Sequence, residues 1–464
     1  MNNSTLTAAR VYADHESLRA TVSGEVHAPG EPGYDETRSA FNLAVEQRPA
    51  VIVVAESAAD VVNTVRYARS AGLRVAPQGT SHGASALESL ENAILLRTTR
   101  MRGVEIYPAT RTARVEAGAE WQDVTHPAHE HGLASLAGSA PDVGVVGYTL
   151  GGGLGWLARR YGLSGNSVVA VEIVTPDGEL VRADSKHEPD IFWAVCGGGG
   201  SVGVVTAIEI QLYPLREAYA GALFFPLERA SEVLHAWREW VETVPDEVTS
   251  VGRIMQFPPI PDVPEPLRGN SFTLVEAAYL GDEFEGAELI RPLRELGPVI
   301  DTFAMIPVPE LQNLHMDPPQ PVPYEGDGMF LADAPSGAID AMVAVGGPGS
   351  NSPLLSLELR HLGGALANGP ADAAQGRIDA KFGMFAVGMA VTPEMAEAVG
   401  SHVRLVKDLF SPWGAEFDYY NFAESQAQAD EVLPSDSYRR LREIKAKYDP
   451  GEMIVSAHPV RPAR

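Results

Sequence analysis

His82 lies within Gln78-Gly79-Thr80-Ser81-His82-Gly83-Ala84, a turn of mostly small residues directly after a short apolar strand, Leu73 to Ala76. Gly79 and Gly83 accept positive φ and let backbone amides approach an anion closely, while Thr80 and Ser81 add hydroxyl donors. The chemistry this suggests is a phosphate cradle with an imidazole beside the bound ligand. A second run of small residues follows about sixty positions later, containing Ser139, Asp142, Val143, Gly144, Gly147, Thr149, Leu150, Gly151, Gly152 and Gly155. Two such turns imply one ligand held from two sides. Farther on, Glu358 and Arg360 alternate on a probable strand and share a face, with His361 on the other, and Tyr419 precedes Asn421 by two positions.

The elements that must position these residues are readable from periodicity. An apolar strand, Ala50 to Val54, an acidic opening at Glu56 and a helical stripe of Val61, Val62, Val65 and Ala68 stopped by Gly72 predict a β-α-β unit feeding the first turn. Short strands are predicted at Ala93–Leu96, Gly103–Ile106 and Ala113–Ala117, and a helix at Trp121–His131 with a kink or restart at Pro127. Pro176-Asp-Gly178 predicts a hairpin turn between Val168–Thr175 and Glu179–Ala183, and Val202–Leu212, which contains Val204, predicts a further strand. Leu215 is read as the end of a first domain. Beyond it, strands are expected at Ala222–Phe225, Phe272–Ala278, Ala341–Val345, Leu354–Leu359 and Phe382–Ala390, an antiparallel sheet carrying helices. Prolines between 257 and 267 and between 307 and 323 predict loops over a surface or pocket. The tail reads as a strand-like piece, Tyr419–Phe422, then a basic helix from Ser437 to Lys447.

At 464 residues, two domains are the natural expectation, and 45% hydrophobic residues supply their cores. With 61 acidic against 35 basic residues the net charge is −26, a surface that repels nucleic acid and anionic lipid. Cys196 is the one cysteine, read as a small buried residue, so no intrachain disulfide or multi-cysteine metal site exists. The twelve histidines show no paired ligand spacing, and His126 and His129 are read as surface residues. No apolar stretch is long enough to span a bilayer, and Met1 to Arg10 lacks the pattern of a secretory signal. A soluble cytoplasmic protein without nucleic-acid or membrane partners is expected; oligomeric state is not readable.

Together the motifs resemble the flavin-linked oxidases of the vanillyl-alcohol-oxidase superfamily, with PCMH-type FAD binding, specifically the berberine-bridge-enzyme-like branch. The resemblance covers most of the chain: the His82 turn, Val143 to Gly155, Asp190 to Val205, Tyr419-x-Asn421 and Tyr438 to Pro450 occur in order. It implies an α+β fold, with a FAD-binding domain of two α/β subdomains over 1–215 (core about 45–215) and a substrate domain over 216–415 with an antiparallel sheet flanked by helices. Residues 416–464 are expected to return to the first domain. It further implies FAD bound covalently through His82 to the flavin 8α-methyl. Some members add a cysteinyl link; this chain has Ala140 there, so a single link is expected. Gln78 stands where arginine is common, Arg377 where the family has histidine, and the tail reads Ile454-Val-Ser-Ala-His458.

The resemblance places Asn421 at the isoalloxazine edge with Tyr419 as a base; the face shared by Glu358 and Arg360 is either a solvated ion pair on the sheet or a catalytic face that covers the flavin and contacts substrate, with Arg377 a weaker candidate of the same kind. The reaction expected is hydride transfer from an alcohol or amine C–H of a small substrate to flavin N5, with O2 regenerating the flavin and yielding H2O2. A flavin dehydrogenase, an oxygenating tailoring enzyme and a non-catalytic flavin-binding protein stay open beside it. A nicotinamide site is disfavoured, because the residues before Gly151 are turn-like rather than the strand a dinucleotide fingerprint needs.

Overall fold

The computed structural model describes residues 15–464, so the reading of Met1 to Arg10 lies outside the described residues. The first sheet contains β1 (Glu25–His27), β2 (Val51–Val54), β3 (Arg74–Gln78) and β4 (Ala93–Arg97) in the order β1-β2-β4-β3. Helix α1 (Ala58–Ala71) joins β2 to β3, and β4 lies between them, parallel to both. Ser57 caps α1 by accepting from the Asp60 amide, and Gly72 ends it in the left-handed conformation that favours glycine. Val61, Val65 and Ala68 are fully buried against this sheet, as the predicted stripe requires.

The second sheet is antiparallel, with β5 (Val104–Tyr107), β6 (Thr112–Glu116), β7 (Val168–Val174), β8 (Leu180–Ala183) and β9 (Val204–Gln211) in the order β5-β6-β9-β7-β8. The β7–β8 pair is the hairpin expected around Gly178, whose φ is +79°. Helix α2 (Trp121–Glu130) carries Pro127 inside it and opens with a reciprocal Glu120/Asp123 capping box. The second glycine run contains the one-and-a-half-turn helix α3 (Val145–Leu150).

The third sheet has eight strands: β10 (Glu217–Pro226), β11 (Val248–Gln256), β12 (Ser271–Tyr279), β13 (Ile300–Asp301), β14 (Ala304–Pro307), β15 (Tyr324–Leu331), β16 (Ser356–His361) and β17 (Phe382–Met389). Its order is β13-β10-β12-β11-β16-β17-β15, with β14 also paired to β10 and every pairing antiparallel. One face is covered by α4 (Ala230–Trp240), α5 (Glu283–Arg294), α6 (Ser336–Gly346) and α7 (Pro393–Phe410). Fully buried Trp237 lies so close to Gly252 on β11 that a Cβ there would come within 2.7 Å of its ring. Its indole donates to Ser250 Oγ at 2.9 Å.

Two sequence expectations fail here. Ala341–Val345 is part of helix α6 rather than a strand; Ala338, Ile339, Met342 and Val345 are buried at helical spacing, which a short apolar run does not distinguish from a strand. Tyr419–Phe422 is an irregular turn closed by the Phe422 amide on the Tyr419 carbonyl at 2.9 Å. Aromatic packing overrides its β propensity, since Tyr419 stacks on Phe330 with ring centroids 5.2 Å apart. Strands β11 and β15 escape the sequence reading because Gly252, Arg253, Gly326 and Asp327 interrupt their apolar pattern.

Helix α8 (Ser435–Tyr448) ends in a buried ion pair, Lys445 Nζ to Asp449 at 2.6 Å, and Lys445 also donates to the Ser201 carbonyl. Asp449 accepts from the amides of Met453 and Ile454, which turns the chain back to the first sheet. There Val75 on β3 bonds the Met453 carbonyl and the Val455 amide, each at 2.8 Å. Among the described residues no helix is long and apolar enough to cross a membrane.

Candidate cofactor and substrate site

The two glycine turns meet. The Gly144 amide donates to Thr80 Oγ1 at 3.1 Å, joining the run after β3 to the run before α3. His82 stacks on Phe41 with ring centroids 3.8 Å apart, and its Nε2 is buried without a hydrogen-bond partner. Asp142 Oδ2 stands 3.8 Å from that nitrogen, and Asp142 Oδ1 is likewise buried and unpartnered. Burial pulls the imidazole down to about 4 and raises the Asp142 carboxyl, so His82 is neutral at physiological pH with a free ring nitrogen.

Buried polar atoms are normally paired, so unpaired ones gathered along one surface mark a ligand position. The Tyr148 hydroxyl is a third, on a ring that Gly138 and Gly153 approach so closely that a Cβ at either would collide with it. Gly155 is also required by the backbone, because a Cβ there would fall on the Ala137 carbonyl. Both amide atoms of fully buried Gln375, against Gly152 and Gly197, lack partners as well. A planar, acceptor-rich flavin with an anionic diphosphate suits this set of small residues and unpaired polar groups.

The remaining residues of the turns are anchors in the chain itself. Thr149 Oγ1 bonds Ser164 Oγ at 3.0 Å, the Leu150 carbonyl accepts from Gly199, and the Val143 carbonyl accepts from Trp121. Gly152 accepts from Gly165, Gly147 from Gly151, Ala84 opens a short 3-10 turn, and Val204 starts β9 fully buried. Asn421 Nδ2 donates to the Tyr148 carbonyl at 3.0 Å and approaches the Tyr419 hydroxyl at 3.3 Å. Asn421 therefore ties the tail to the glycine run, and Gly151 is needed for that approach because a Cβ would occupy the position of Asn421 Oδ1.

Tyr419 is fully buried, and burial pushes its phenol well above the ordinary range despite the pull of Asn421, two backbone amides and Arg360. The expectation that Tyr419 acts as a base meets this obstacle: a desolvated phenol keeps its proton and donates a hydrogen bond. Phe422 joins it to the large sheet, with Tyr419 4.9 Å away between centroids and the Arg360 guanidinium 5.1 Å from the Phe422 ring.

Glu358 and Arg360 do share a face, where Glu358 is buried and Arg360 half-buried in an ionic network rather than solvated. Arg360 Nε donates to Glu358 Oε1 at 2.5 Å, and Glu358 Oε2 faces His315 Nε2 at 2.8 Å. His315 Nδ1 faces Glu276 Oε2 at 2.6 Å, and Glu276 Oε1 accepts from Arg253 Nη1 at 3.1 Å. Burial and Arg253 oppose the imidazolium, yet the two carboxylates prevail and raise His315 to about 9. Burial likewise opposes both carboxylates, but the cations beside them hold Glu276 and Glu358 below the usual range. Glu276, Arg253 and His315 were not legible as site residues. They lie on two strands and in the proline-rich 307–323 loop, separated by tens of positions, with no local signal. That loop also reaches the second glycine run, where Ser139 Oγ donates to Asp317 at 2.9 Å.

A pH effect follows from the sign of the His315 shift. A group raised in the folded state above its ordinary 6.5 contributes stability that is complete below about 6.5 and is lost as pH rises through about 9. Thermal denaturation from pH 6.5 to 9.5 should therefore show a falling melting temperature, and His315→Gln should flatten that slope. An equal slope in the variant would assign the loss elsewhere.

His361 is on the opposite face, accepting from Arg159 at 3.1 Å through Nε2. Arg377 is exposed, and Gln375, two residues earlier, is the one that faces the glycine run, so Arg377 is withdrawn as a substrate contact. Cys196 is buried, its thiol pushed up to about 12 by burial, and the structure gives it a packing role. Of the two helical histidines His126 is exposed and His129 half-buried. Among the described residues no group of His, Cys, Asp and Glu is placed to hold a metal.

Residues 49–184 match the FAD binding domain family. The (R)-6-hydroxynicotine oxidase of Paenarthrobacter nicotinovorans is 34% identical over 202 residues, 43% of this chain and 44% of that protein. A FAD-linked oxidoreductase of Bacillus subtilis is 28% identical over 286 residues, 60% of each. These two matches thus span about half the length of the relatives. A FAD-linked oxidoreductase of Dictyostelium discoideum aligns over 95% of both chains at 24% identity. Among solved structures, BBE-like 1 of Physcomitrella patens superposes with a TM-score of 0.84 over 97% of this chain and 100% of its own, at 18% identity. The 6-hydroxy-D-nicotine oxidase of Arthrobacter nicotinovorans does so with a TM-score of 0.80 over 93% and 96%, at 25% identity. With the fold, the joined glycine turns and these similarities in agreement, the chain carries a FAD binding domain over residues 49–184 and is similar over most of its length to FAD-linked oxidoreductases.

Proposed function

We propose that this protein is a FAD-dependent oxidase of a small organic alcohol or amine, with FAD bonded covalently to His82 and no second link. The observation that carries the reading is the pair of buried, unpartnered atoms, His82 Nε2 and Asp142 Oδ1, at the junction of the two glycine turns. Bound there, the flavin supplies the two-electron acceptor for a substrate C–H, with O2 as the final oxidant and H2O2 as its product.

The chain's own residues do the rest. The amides and hydroxyls of 79–83 and the amides from Gly144 onward suit the diphosphate, while Thr149 and Asn421 hold the glycine run in place. Tyr419 keeps its proton and offers a hydrogen bond to a substrate heteroatom. Arg360, held by Glu358 and packed with Tyr419 against Phe422, orients the substrate from the large sheet. Residues 1–215 with 416–464 form the cofactor-holding part and 216–415 the substrate part, a division supported by the return of the tail to Val75 and by the extent of the large sheet. A cytoplasmic location belongs to the same reading, supported by the lone buried cysteine.

The test is rapid mixing of the protein, bleached by anaerobic reduction of its yellow flavin, with oxygenated buffer. Fast reoxidation with stoichiometric H2O2 is expected. Reoxidation no faster than free flavin would overturn the oxidase and leave a dehydrogenase, and colourless protein that takes up no flavin would overturn the cofactor assignment.

A further inference from the structure

Arg97 ends β4 and stands directly opposite Gln78 in the parallel register of β3 and β4. Its guanidinium is buried and forms no ion pair with any carboxylate among the described residues. All three of its nitrogens are directed at neutral oxygens. Nε donates to the Thr37 carbonyl at 3.1 Å and Nη2 to the Ser39 carbonyl at 2.6 Å. Nη1 serves Gln78 Oε1 and the Gly79 carbonyl, each at 3.2 Å, and Ser81 Oγ. Three of these five acceptors belong to the turn that carries His82, and Ser81 is held there at φ +67°, a conformation a serine seldom adopts.

A buried cation without a counter-charge costs several kcal/mol unless an anion joins it. Burial alone lowers this guanidinium to about 10, with no neighbouring carboxylate to restore it. Carbonyls and hydroxyls orient the group but leave its charge whole. Gln78, where arginine is common in the family, contributes no charge to the turn, and Gln47 and Gln78 bond each other and so fix the amide that Arg97 grips.

We propose that Arg97 is the positioning cation of the cofactor turn: from the neighbouring strand it supplies the positive charge that residue 78 lacks, holds Ser81 and His82 in register, and offsets the charge of the FAD diphosphate. This rests on the FAD reading given above. It makes a demand that a purely structural staple does not: the effect of Arg97 must depend on the ligand carrying a diphosphate.

The experiment uses the full chain carrying His82→Ala, so that flavin binding is reversible, and compares FAD with riboflavin, which has the same ring and no phosphate, by fluorescence titration. Adding Arg97→Gln should weaken FAD by at least about tenfold and riboflavin by less than about twofold. Arg97→Lys, which keeps the charge, should retain the preference for FAD, and Gln78→Arg with Arg97→Gln should restore it by moving the cation across the register. Equal loss of both ligands, or no loss of either, would overturn the proposal. Should Arg97→Gln fail to fold, the lysine variant and the double variant decide, since loss of the FAD preference in both contradicts a role for the charge. A His82→Ala parent that binds neither flavin would refute the FAD reading itself, a result distinct from one that binds both equally.

Discussion

His82→Ala should give a protein whose yellow colour leaves the polypeptide entirely on acid denaturation, whereas in the unsubstituted protein the colour should stay with the chain and map to the peptide containing His82. The substituted protein should still bind FAD, because the glycine turns, Thr80 and Gly144 are untouched. Its turnover should fall by about tenfold, a barrier increase of about 1.4 kcal/mol, since an electron-withdrawing link to the ring is lost. The structure adds a condition. Because burial holds the imidazole down to about 4, the nitrogen is neutral and nucleophilic throughout the physiological range. Attachment of FAD to apoprotein should therefore proceed equally well at pH 6 and pH 8. Colour released from the unsubstituted protein would refute the link, and a modified peptide elsewhere would move it.

The second large effect is on stability. Glu276→Ala should lower the melting temperature by about 10 °C or more, because removing one partner of a buried ion pair costs about 3–5 kcal/mol. Glu276 is fully buried, and its loss removes the nearer carboxylate of Arg253 and His315, which must then share Glu358 with Arg360. Substitution at the surface pair Arg291–Glu295 should change the melting temperature little, since exposed pairs contribute about 0–1 kcal/mol. A loss at Glu276 no larger than at Glu295 would mean that the network is relaxed by water, and the alkaline slope assigned to His315 would then need another source.

How much of this was legible depends on whether the signal is local. The β2-α1-β3 unit could be read because Val61, Val65 and Ala68 repeat at helical spacing and Ser57 and Gly72 punctuate the helix. The Gly178 hairpin and the two glycine turns were legible for the same reason: turn chemistry is written in adjacent residues. The run Ala341–Val345 was misread because five apolar residues satisfy a strand and a buried helix equally, and only the sheet beneath α6 decides.

At the site, the sequence by itself determined where the two glycine turns lie, because close approach of the chain to itself demands glycine at Gly151, Gly153 and Gly155. The protonation states and partnerships came only from the tertiary structure. Tyr419 could be named, but its firmly held proton follows from complete burial against Phe330 and Phe422. Gln78 looked like a missing cation until the register of β3 and β4 set Arg97 against it, 19 positions away. Glu276, His315 and Glu358 become one network because β12, β16 and the 307–323 loop bring together charges whose pairing offsets the cost of burying them. Pairing between distant strands leaves no mark on any short window of sequence, so local chemistry was readable and long-range electrostatics was not.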